Sequence, residues 1–459
     1  MVSRARIAIR YVLFIVSLML CTTGALPQRA AALDLASNNA EKDVSENNPF
    51  WNELSEGFDS SLRILTYGSY QDVADSTQNP GNDFLRLSTL VGDMEIRPDF
   101  YLQFRRLELS VKPRGYIQWV IRENGASEEE SEWEDDWYVN EWRLRFGVTN
   151  SLFLSYGREN PQWGPSYLFS PSNPFFEDNG RMNTKTEVPG MDFAILVWAP
   201  SIRWSLSLIA NTDEGRLDTM FREFRKSYAV KIDYTGSEAY TGLVLSRNEK
   251  ERDSIGAFGG WTATDALLLY ADIGFSRGSD VLYPVEDDIS PFGVSMQAVD
   301  EECSRWKGTV MVGASYTFLA GPTILMEYLY NEEGFSDEEA KSYNQLKRNA
   351  RAAFYEYGPP GGLSRMALGM TANPGMRFLR NNYAVLQYRQ NDIRDVLNLS
   401  FSWIYNVDDK GGRLVSSLEY AAGDSIQIFS IGFLNTGSAD AEFRTALDSS
   451  LMLGVEYTF

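Results

Sequence analysis

Apolar side chains occupy every second position of the last ten residues of the chain, and the positions between them are small or polar apart from Met452. The apolar set is Leu451, Leu453, Val455, Tyr457 and Phe459, separated by Met452, Gly454, Glu456 and Thr458. Because successive side chains of a strand point to opposite faces, this pattern predicts a β-strand with one wholly apolar face. Such a face needs either a protein core or the hydrocarbon of a bilayer, and a bilayer requires a closed sheet.

The same alternation recurs at about 142–148, 202–208, 309–318 and 397–403. A soluble antiparallel sandwich would show the same period of two. The opposite faces, however, carry charged residues, Gly and Ser, as a water-filled lumen requires. Aromatic residues gather at segment ends, at Trp142, Trp204, Trp261, Trp403 and Tyr405. Both features favour a transmembrane barrel with aromatic girdles.

Short turns alternate with long connections along the chain. The short turns lie near 149–150, 199–201, 235–237, 264–265, 319–321 and 391–392, and longer links lie at about 124–135, 159–189, 212–222, 277–305 and 333–376. This asymmetry is typical of an outer-membrane barrel with periplasmic turns and extracellular loops. We predict an all-β fold, an antiparallel up-and-down barrel of about 18 strands, with 16 also compatible with the pattern.

Counting back from Phe459 gives sixteen segments, the first of which begins near residue 115. Residues 60–114 supply two more strands in one of two ways. Either 60–71 and 83–97 are strands leading into one long bent strand, or 101–111 is separate and 60–71 lies outside the barrel. The Pro residues in Arg97-Pro98 and Lys112-Pro113-Arg114 leave both partitions open, because Pro disrupts a strand ladder.

The N-terminus has the parts of a secretory signal peptide. Arg4, Arg6 and Arg10 precede an apolar run from Tyr11 to Cys21, and Ala30-Ala31-Ala32 follows. The run is too short for a membrane-spanning helix, so cleavage after Ala32 or Ala25 is expected. The predicted organisation is a signal peptide over 1–32, a periplasmic lead-in over 33–59 and the barrel over 60–459.

Composition excludes several classes of function. The formal net charge of −21 argues against nucleic acid as a partner, because phosphate binding needs a basic surface. The chain contains no His, which excludes Ser-His-Asp hydrolysis and His-containing zinc sites. No motif isolates a catalytic pair of carboxylates. We therefore expect that the protein is not an enzyme.

The most unusual stretch runs from Tyr156 to Phe176 and is rich in Pro, Gly and aromatic residues. Pro and Gly end the preceding strand and stiffen the loop. One interpretation is that loop 159–189 folds into the lumen, with Trp163 and Tyr167 as a stacking surface and Arg158 and Glu159 setting the local field. The alternative is an ordinary, rigid extracellular loop.

Polar-face charges on the predicted strands are further candidates for lining the channel, because a charge on the lipid face is costly. They are Arg143, Arg145, Arg203, Arg225, Glu327 and Glu419. A bracing role, in which paired charges only stiffen the wall, is the alternative for each.

Residues 336–357 break the strand pattern: Ser336 and Glu339 form a capping box, and the apolar residues that follow recur at helical spacing. We expect one helix here, ended by Gly358-Pro359-Pro360-Gly361-Gly362, which either caps the lumen or covers a strand edge.

An acidic run packs seven carboxylates into nine residues, namely Glu128, Glu129, Glu130, Glu132, Glu134, Asp135 and Asp136. Carboxylates are suitable ligands for Ca²⁺ or Mg²⁺, which would bridge lipopolysaccharide phosphates. The spacing matches no defined calcium loop, so a solvated, self-repelling loop is the simpler interpretation. We expect no cofactor, with Ca²⁺ or Mg²⁺ at this run as the alternative, and no metal site is assigned.

The arrangement Gly157-Arg158, Trp163-Gly164-Pro165 and Asn173-Pro174 resembles loops of Gram-negative outer-membrane barrels of the porin-like kind, and more weakly those of polysaccharide-export or capsule-assembly barrels. The terminal Phe459 is similar to the signal by which such barrels are inserted by the outer-membrane assembly machinery. The resemblance implies a location in the outer membrane, with lipid, lipopolysaccharide and small solutes or carbohydrate as partners.

The expected function is a porin-like channel for passive diffusion of small hydrophilic solutes, because a barrel of this size leaves an aqueous lumen unless loops fill it. The first alternative is a barrel for polysaccharide export, capsule assembly or binding of surface carbohydrate. The second is a plugged structural barrel without transport.

Overall fold

A computed structural model describes residues 49–122, 125, 131–176, 179–216, 224–299 and 305–459. The predicted signal peptide, most of the lead-in and Glu128–Glu130 lie outside these ranges. The elements are α1 (Pro49–Glu56), β1 (Phe58–Val73), β2 (Leu90–Phe104), β3 (Leu107–Ile121), β4 (Ser131–Gly147), β5 (Leu152–Glu159), β6 (Met191–Ser201), β7 (Trp204–Asp213), β8 (Ser227–Thr235), β9 (Ala239–Asn248), β10 (Asp253–Thr264), β11 (Leu267–Arg277), β12 (Leu282–Glu286), β13 (Val294–Ala298), β14 (Trp306–Thr317), β15 (Thr323–Asn331), α2 (Asp337–Ala353), α3 (Pro359–Ala372), β16 (Asn382–Ile393), β17 (Leu397–Asn406), β18 (Gly412–Ala421), β19 (Ile426–Thr436) and β20 (Leu447–Thr458).

All strands except β12 and β13 form one closed antiparallel sheet of eighteen strands, in which each strand pairs with the next one along the chain and β11 pairs with β14. β12 and β13 form a separate hairpin. The predicted alternation of the last strand forms the closure: β20 pairs with β19 on one side and with β1 on the other, over Arg63–Val73. Closure satisfies the backbone groups of what would otherwise be two open edges. The predicted all-β up-and-down barrel of about 18 strands is confirmed.

The outer surface is a belt of alternate apolar side chains. On β14, Val312 and Tyr316 are exposed, whereas Met311, next to Val312, is 1% exposed and points into the barrel. Trp306 and Tyr316 lie at opposite ends of this strand and are both exposed. At about 3.3 Å per residue and a tilt of about 45°, they are about 23 Å apart along the barrel axis, close to the ~25 Å apolar band of outer-membrane barrels.

Aromatic pairs mark both ends of the belt. The rings of Trp204 and Tyr234 lie 4.8 Å apart at the end with short turns. At the end with long loops, the rings of Trp403 and Tyr405 lie 5.0 Å apart. The two ends are called the short-turn end and the long-loop end below. The amphipathic rings at both levels fit two membrane–water interfaces.

The first three strands differ from the expected partitions. The structure is closer to the first partition, in which 60–71 and 83–97 are strands. However, β2 continues through Arg97-Pro98, and β3 begins at Leu107, not near residue 115. Pro113 lies at a register shift between β3 and β4, and the β2–β3 pairing is interrupted between Ile96 and Phe100. A missing N–H is tolerated where the ladder is already broken, so these Pro residues sit inside strands.

A small helical cap lies at the long-loop end. The capping box of Ser336 and Glu339 is present and starts α2 as predicted. The expectation of one helix ended by residues 358–362 was wrong, because α2 ends at Ala353 and Pro359 starts a second helix, α3, in which Pro suits the first turn. Both helices pack on the β12–β13 hairpin in one apolar core. No helix in the described ranges is both long and apolar enough to cross a membrane.

Candidate constriction inside the barrel

Residues 160–190, called the inner loop, leave the wall after β5 and return to it at β6. Backbone groups of the loop are held by Glu327 on β15. The Tyr167 N–H donates to one carboxylate oxygen over 2.6 Å, and the Leu168 N–H donates to the other over 3.3 Å. The Tyr270 hydroxyl donates to the same carboxylate over 2.8 Å. Glu327 is only 5% exposed, so an inward carboxylate anchors the loop to the wall.

A second carboxylate, Asp272 on β11, holds the next residues of the inner loop. The Ser170 hydroxyl donates to it over 2.6 Å, and the Ser172 N–H donates over 2.8 Å. The wall is glycine where the loop touches it: a Cβ on Gly274 would lie 2.0 Å from the carbonyl oxygen of Pro171. Only a bare backbone allows this approach. The first half of the loop is therefore seated directly on β11.

The second half of the inner loop reaches the strands near the closure of the barrel. Arg114 on β3 is 1% exposed and donates to both carboxylate oxygens of Glu187, over 2.6 and 2.9 Å. Burial alone would raise the pKa of Glu187, but the hydrogen bonds and charge of Arg114 outweigh it and lower that pKa. Arg97 on β2 donates to the carbonyl of Lys185 over 2.7 Å, and Lys185 contacts Glu456 on β20 over 3.0 Å.

Two further contacts fix the loop to the β17–β18 wall. The Ser402 hydroxyl donates to the Tyr167 hydroxyl over 3.1 Å, and Thr184 donates to Glu419 over 3.2 Å. Arg181 braces the loop internally by donating to the carbonyls of Gly164 and Pro165 over 3.1 and 2.9 Å. With partners on β3, β11, β15, β17, β18 and β20, the inner loop crosses the lumen.

The structure gives the candidate residues different surroundings. Tyr167, Glu327 and Glu419 meet at the inner loop, as described above. Trp163 packs with its ring 6.0 Å from that of Phe175 and near the Lys231 ammonium. Its ring is thus used in packing inside the barrel.

Four of the five remaining cationic candidates are paired with acidic residues. The ion pairs are Arg143–Glu159 at 3.5 Å, Arg145–Glu108 at 3.1 Å, Arg158–Asp192 at 2.8 Å and Arg225–Asp280 at 2.6 Å. Arg225 lies in the loop before β8, and Arg203 lies exposed in the turn between β6 and β7. Arg203 is therefore at the short-turn end and not on a strand facing the inner loop.

Sequence reasoning missed the cations that hold the second half of the loop, Arg97, Arg114 and Lys185. Arg97 and Arg114 are each adjacent to a Pro in the sequence. Because a Pro predicts the end of a strand, these two residues were not placed on the inward faces of strands. Asp272 was missed as well, although it alternates with Tyr270 and Gly274 on one face of a predicted strand. The alternation along the strand could have placed Asp272 on the inward face, but no local feature of the sequence predicts its hydrogen-bond partners in the inner loop.

The acidic run is part strand and part outside the described ranges. β4 begins at Ser131, so Glu132, Glu134, Asp135 and Asp136 lie on a strand and not in a loop. Glu132 pairs with Arg122 at 3.2 Å and Asp136 with Arg216 at 3.4 Å. Within the ranges that the structure covers, no group of three or more acidic or Cys residues is arranged to hold a metal ion.

The inner loop and the cap divide the lumen into small cavities. One of about 290 Å³ lies between the inner loop and the cap, and one of about 420 Å³ lies on the short-turn side of the inner loop, against β16–β18. A third, of about 300 Å³, lies beside β9–β11, and its lining includes the hydroxyl residues Ser246, Ser254 and Ser276 and the cations Arg247 and Lys307. Each cavity is polar in part and of a size that suits a small molecule.

No protein-family model matches the chain, and no curated protein matches its sequence significantly. Solved structures share its fold at low identity. OccK7 (OpdD) from Pseudomonas aeruginosa is 10% identical with a TM-score of 0.53, over 88% of this chain and 98% of that one. OccAB1 from Acinetobacter baumannii is 12% identical with a TM-score of 0.52, over 88% and 97%. The outer membrane protein OprD from P. aeruginosa is 11% identical with a TM-score of 0.50, over 87% and 94%.

These likenesses concern the fold, and the apolar belt with its two aromatic levels is an independent physical sign of a bilayer. The predicted porin-like resemblance and the location in the outer membrane are in agreement with both. The protein is an 18-stranded outer-membrane β-barrel similar in fold to OprD, OccK7 and OccAB1.

Proposed function

We propose that the protein is a passive outer-membrane channel for small hydrophilic solutes, with the inner loop as its constriction. The observation that carries this proposal is the set of contacts by which the inner loop crosses the lumen. Glu327, Asp272 and Arg114 hold it from three separate strands. A barrel of this circumference would otherwise enclose a wide aqueous channel.

The cavities beside the inner loop set the size of the solute. Volumes of about 290 and 420 Å³ are at the lower end for small-molecule sites, so the solutes are small. Their linings combine Arg and Glu side chains with hydroxyls and amides, which favours hydrated and charged solutes over apolar ones. No energy source is required, because the solute diffuses down its own concentration gradient.

Planar-bilayer recording tests the proposal. The folded full-length mature chain should give ohmic single-channel steps, and replacing residues 165–186 with a short Gly-Ser linker should enlarge them. Arg203→Ala, in the exposed turn between β6 and β7, is the matched control and should leave the conductance unchanged. Liposome swelling with a series of neutral and charged solutes then gives the size limit and the charge preference.

Silence of the wild-type chain would contradict the proposal. Silence together with carbohydrate binding would favour the polysaccharide alternative, in which Trp163 must offer its ring to sugars. Packing of that ring against Phe175 gives this alternative no support. Silence that ends only when the inner loop is removed would favour the plugged barrel.

Partners beyond the lipid belt are proposed on chemical grounds. The Phe459 ring is 54% exposed and lies 4.3 Å from the Tyr457 ring, where the outer-membrane assembly machinery would reach it.

Ca²⁺ or Mg²⁺ at residues 128–136 would bridge the beginning of β4 to lipopolysaccharide phosphates. Replacing the seven carboxylates by amides should then abolish any Ca²⁺-dependent rise in the unfolding temperature in lipopolysaccharide-containing membranes.

A further inference from the structure

Two of the cavities lie on the same wall of the barrel, on opposite sides of the inner loop. The cavity on the long-loop side is lined by Ile404 of β17 and Arg413 of β18. The cavity on the short-turn side is lined by Ser400 of β17 and by Val415, Ser417 and Glu419 of β18. Neighbouring inward positions of the same two strands thus face the two cavities, and the inner loop separates them.

One inner-loop side chain, Met182, lines both cavities. The neighbouring points of the loop are fixed by polar contacts on either side. Tyr167 is hydrogen-bonded to Ser402, and Thr184 is hydrogen-bonded to Glu419. Between these two points, Met182 only packs against the apolar cluster at the β14–β17 wall.

The third cavity does not share this boundary. It lies beside β9–β11, where Asp272 binds Ser170 and Ser172 and the loop backbone lies directly on Gly274. Opening a passage there would break hydrogen bonds to a fully buried carboxylate, and hydrogen bonds to a charged acceptor are among the stronger ones. Moving a thioether side chain breaks none, because Met has three rotatable bonds and no polar group to satisfy.

We propose that the solute path runs along the β16–β18 wall and that Met182 is the movable gate between its two cavities. This inference rests on the proposed channel function and names the residue that closes the path. A solute passes from the Arg413 side of the gate to the Glu419 side when the Met182 side chain changes rotamer. The inner-loop backbone stays bound to Glu327 and Asp272 during this step.

Single-channel conductance of Met182 variants tests the gate. Resistances along one path add, so the narrowest point dominates, and Met182→Ala should raise the conductance at least about twofold. Met182→Trp should lower it at least about fivefold by filling the boundary. Met376→Ala is the matched control, because Met376 lines only the cavity on the long-loop side. Its conductance should equal that of the wild type.

A thiol reporter gives a second measurement that does not depend on side-chain volume. In a Cys303→Ser background, Met182→Cys should be modified by a cationic methanethiosulfonate from either side of the bilayer, as the thiolate displaces sulfinate. The attached group should block the current, whereas the Cys303→Ser chain alone should be unaffected. Reaction from both sides is expected if residue 182 lies on a path that is open to both sides, and reaction from one side alone would show that it does not.

The outcomes separate the gate from the channel. If the wild type conducts but Met182→Ala, Met182→Trp and the modified Cys variant all keep its conductance, the gate is refuted and the channel stands. If only one side of the bilayer gives modification, Met182 does not separate the cavities, and the gate is again refuted. If neither the wild type nor any variant conducts, the proposed function fails, and the gate fails with it.

Discussion

Replacing Glu327 with Gln should loosen the inner loop from the wall of the barrel. The carboxylate accepts hydrogen bonds from the N–H groups of Tyr167 and Leu168 at 2.6 and 3.3 Å. Gln keeps one carbonyl oxygen, but its NH₂ group faces a second N–H donor, and the negative charge is lost. Losing one hydrogen bond to a charged acceptor costs ~1.5–3 kcal/mol. Glu327 is 5% exposed, so water compensates little.

The magnitude translates into a population of open loop. Each 1.4 kcal/mol is a factor of about ten, so the open fraction should rise about 10- to 150-fold. Arg181 lies in the loop, and its guanidinium is bound to the carbonyls of Gly164 and Pro165. Trypsin should therefore cut after Arg181 mainly in the open state, at a rate that follows the open population when opening is fast.

The assay is limited trypsinolysis of the folded barrel in detergent, with the fragment ending at Arg181 followed by mass spectrometry. Glu332→Gln is the matched control. Glu332 also accepts a backbone N–H, from Gly308 over 2.9 Å, but has no contact with the inner loop. The reasoning is refuted if Glu327→Gln and Glu332→Gln release this fragment at rates within about twofold of each other.

Three further predictions concern buried charges. Burial raises the pKa of Glu442, in the loop before β20, to about 7. The contribution of Glu442 to stability is therefore full below the pKa of the unfolded chain and is lost as the pH rises to about 7. Between pH 4.5 and 7.5 the unfolding temperature should fall by less in Glu442→Gln than in the wild type, and equal falls would disprove this. Lys347 in α2 is 1% exposed, and burial lowers its pKa to about 8. Lys347→Met should therefore raise the temperature at which the cap becomes accessible to protease. A lowered temperature would show that the charge stabilises the cap. Arg114→Met leaves the half-buried Glu187 and Asp99 with Arg63, at 3.5 and 3.2 Å, as their remaining shared cation, and removing the buried Arg114 should cost about 3–5 kcal/mol. The loss is measured as a lower heat-unfolding temperature on gels. Arg105→Met, at the exposed turn after β2, is the control.

The strands were predictable because their signal is local. Leu451 to Phe459 alternate with a period of two, and a strand imposes that period wherever the sheet lies. The same rule gave the inward face of β14 and the number of strands. It failed at Pro98 and Pro113, because a Pro inside a strand and a Pro at a strand end look alike in sequence. Pairing with β1 and β4 decided between them.

The inner loop shows the limit of the sequence. Its stiffness follows from Pro161, Gly164 and Pro165, but a stiff loop is compatible with an extracellular position as well as with the lumen. The hydrogen bond from Tyr167 to Glu327 joins residues 160 positions apart, and the contact of Lys185 with Glu456 joins residues 271 positions apart. No period links such residues.

By itself, the sequence determined a barrel with an apolar outside, a polar inside, one closing strand and one unusual loop. Tertiary structure alone decided that the loop crosses the lumen, which carboxylates hold it and which side chain stands between the two cavities. The physical reason is that strand alternation is set by the backbone of each segment, whereas the loop's position is set by hydrogen bonds that form only after the barrel has closed around it.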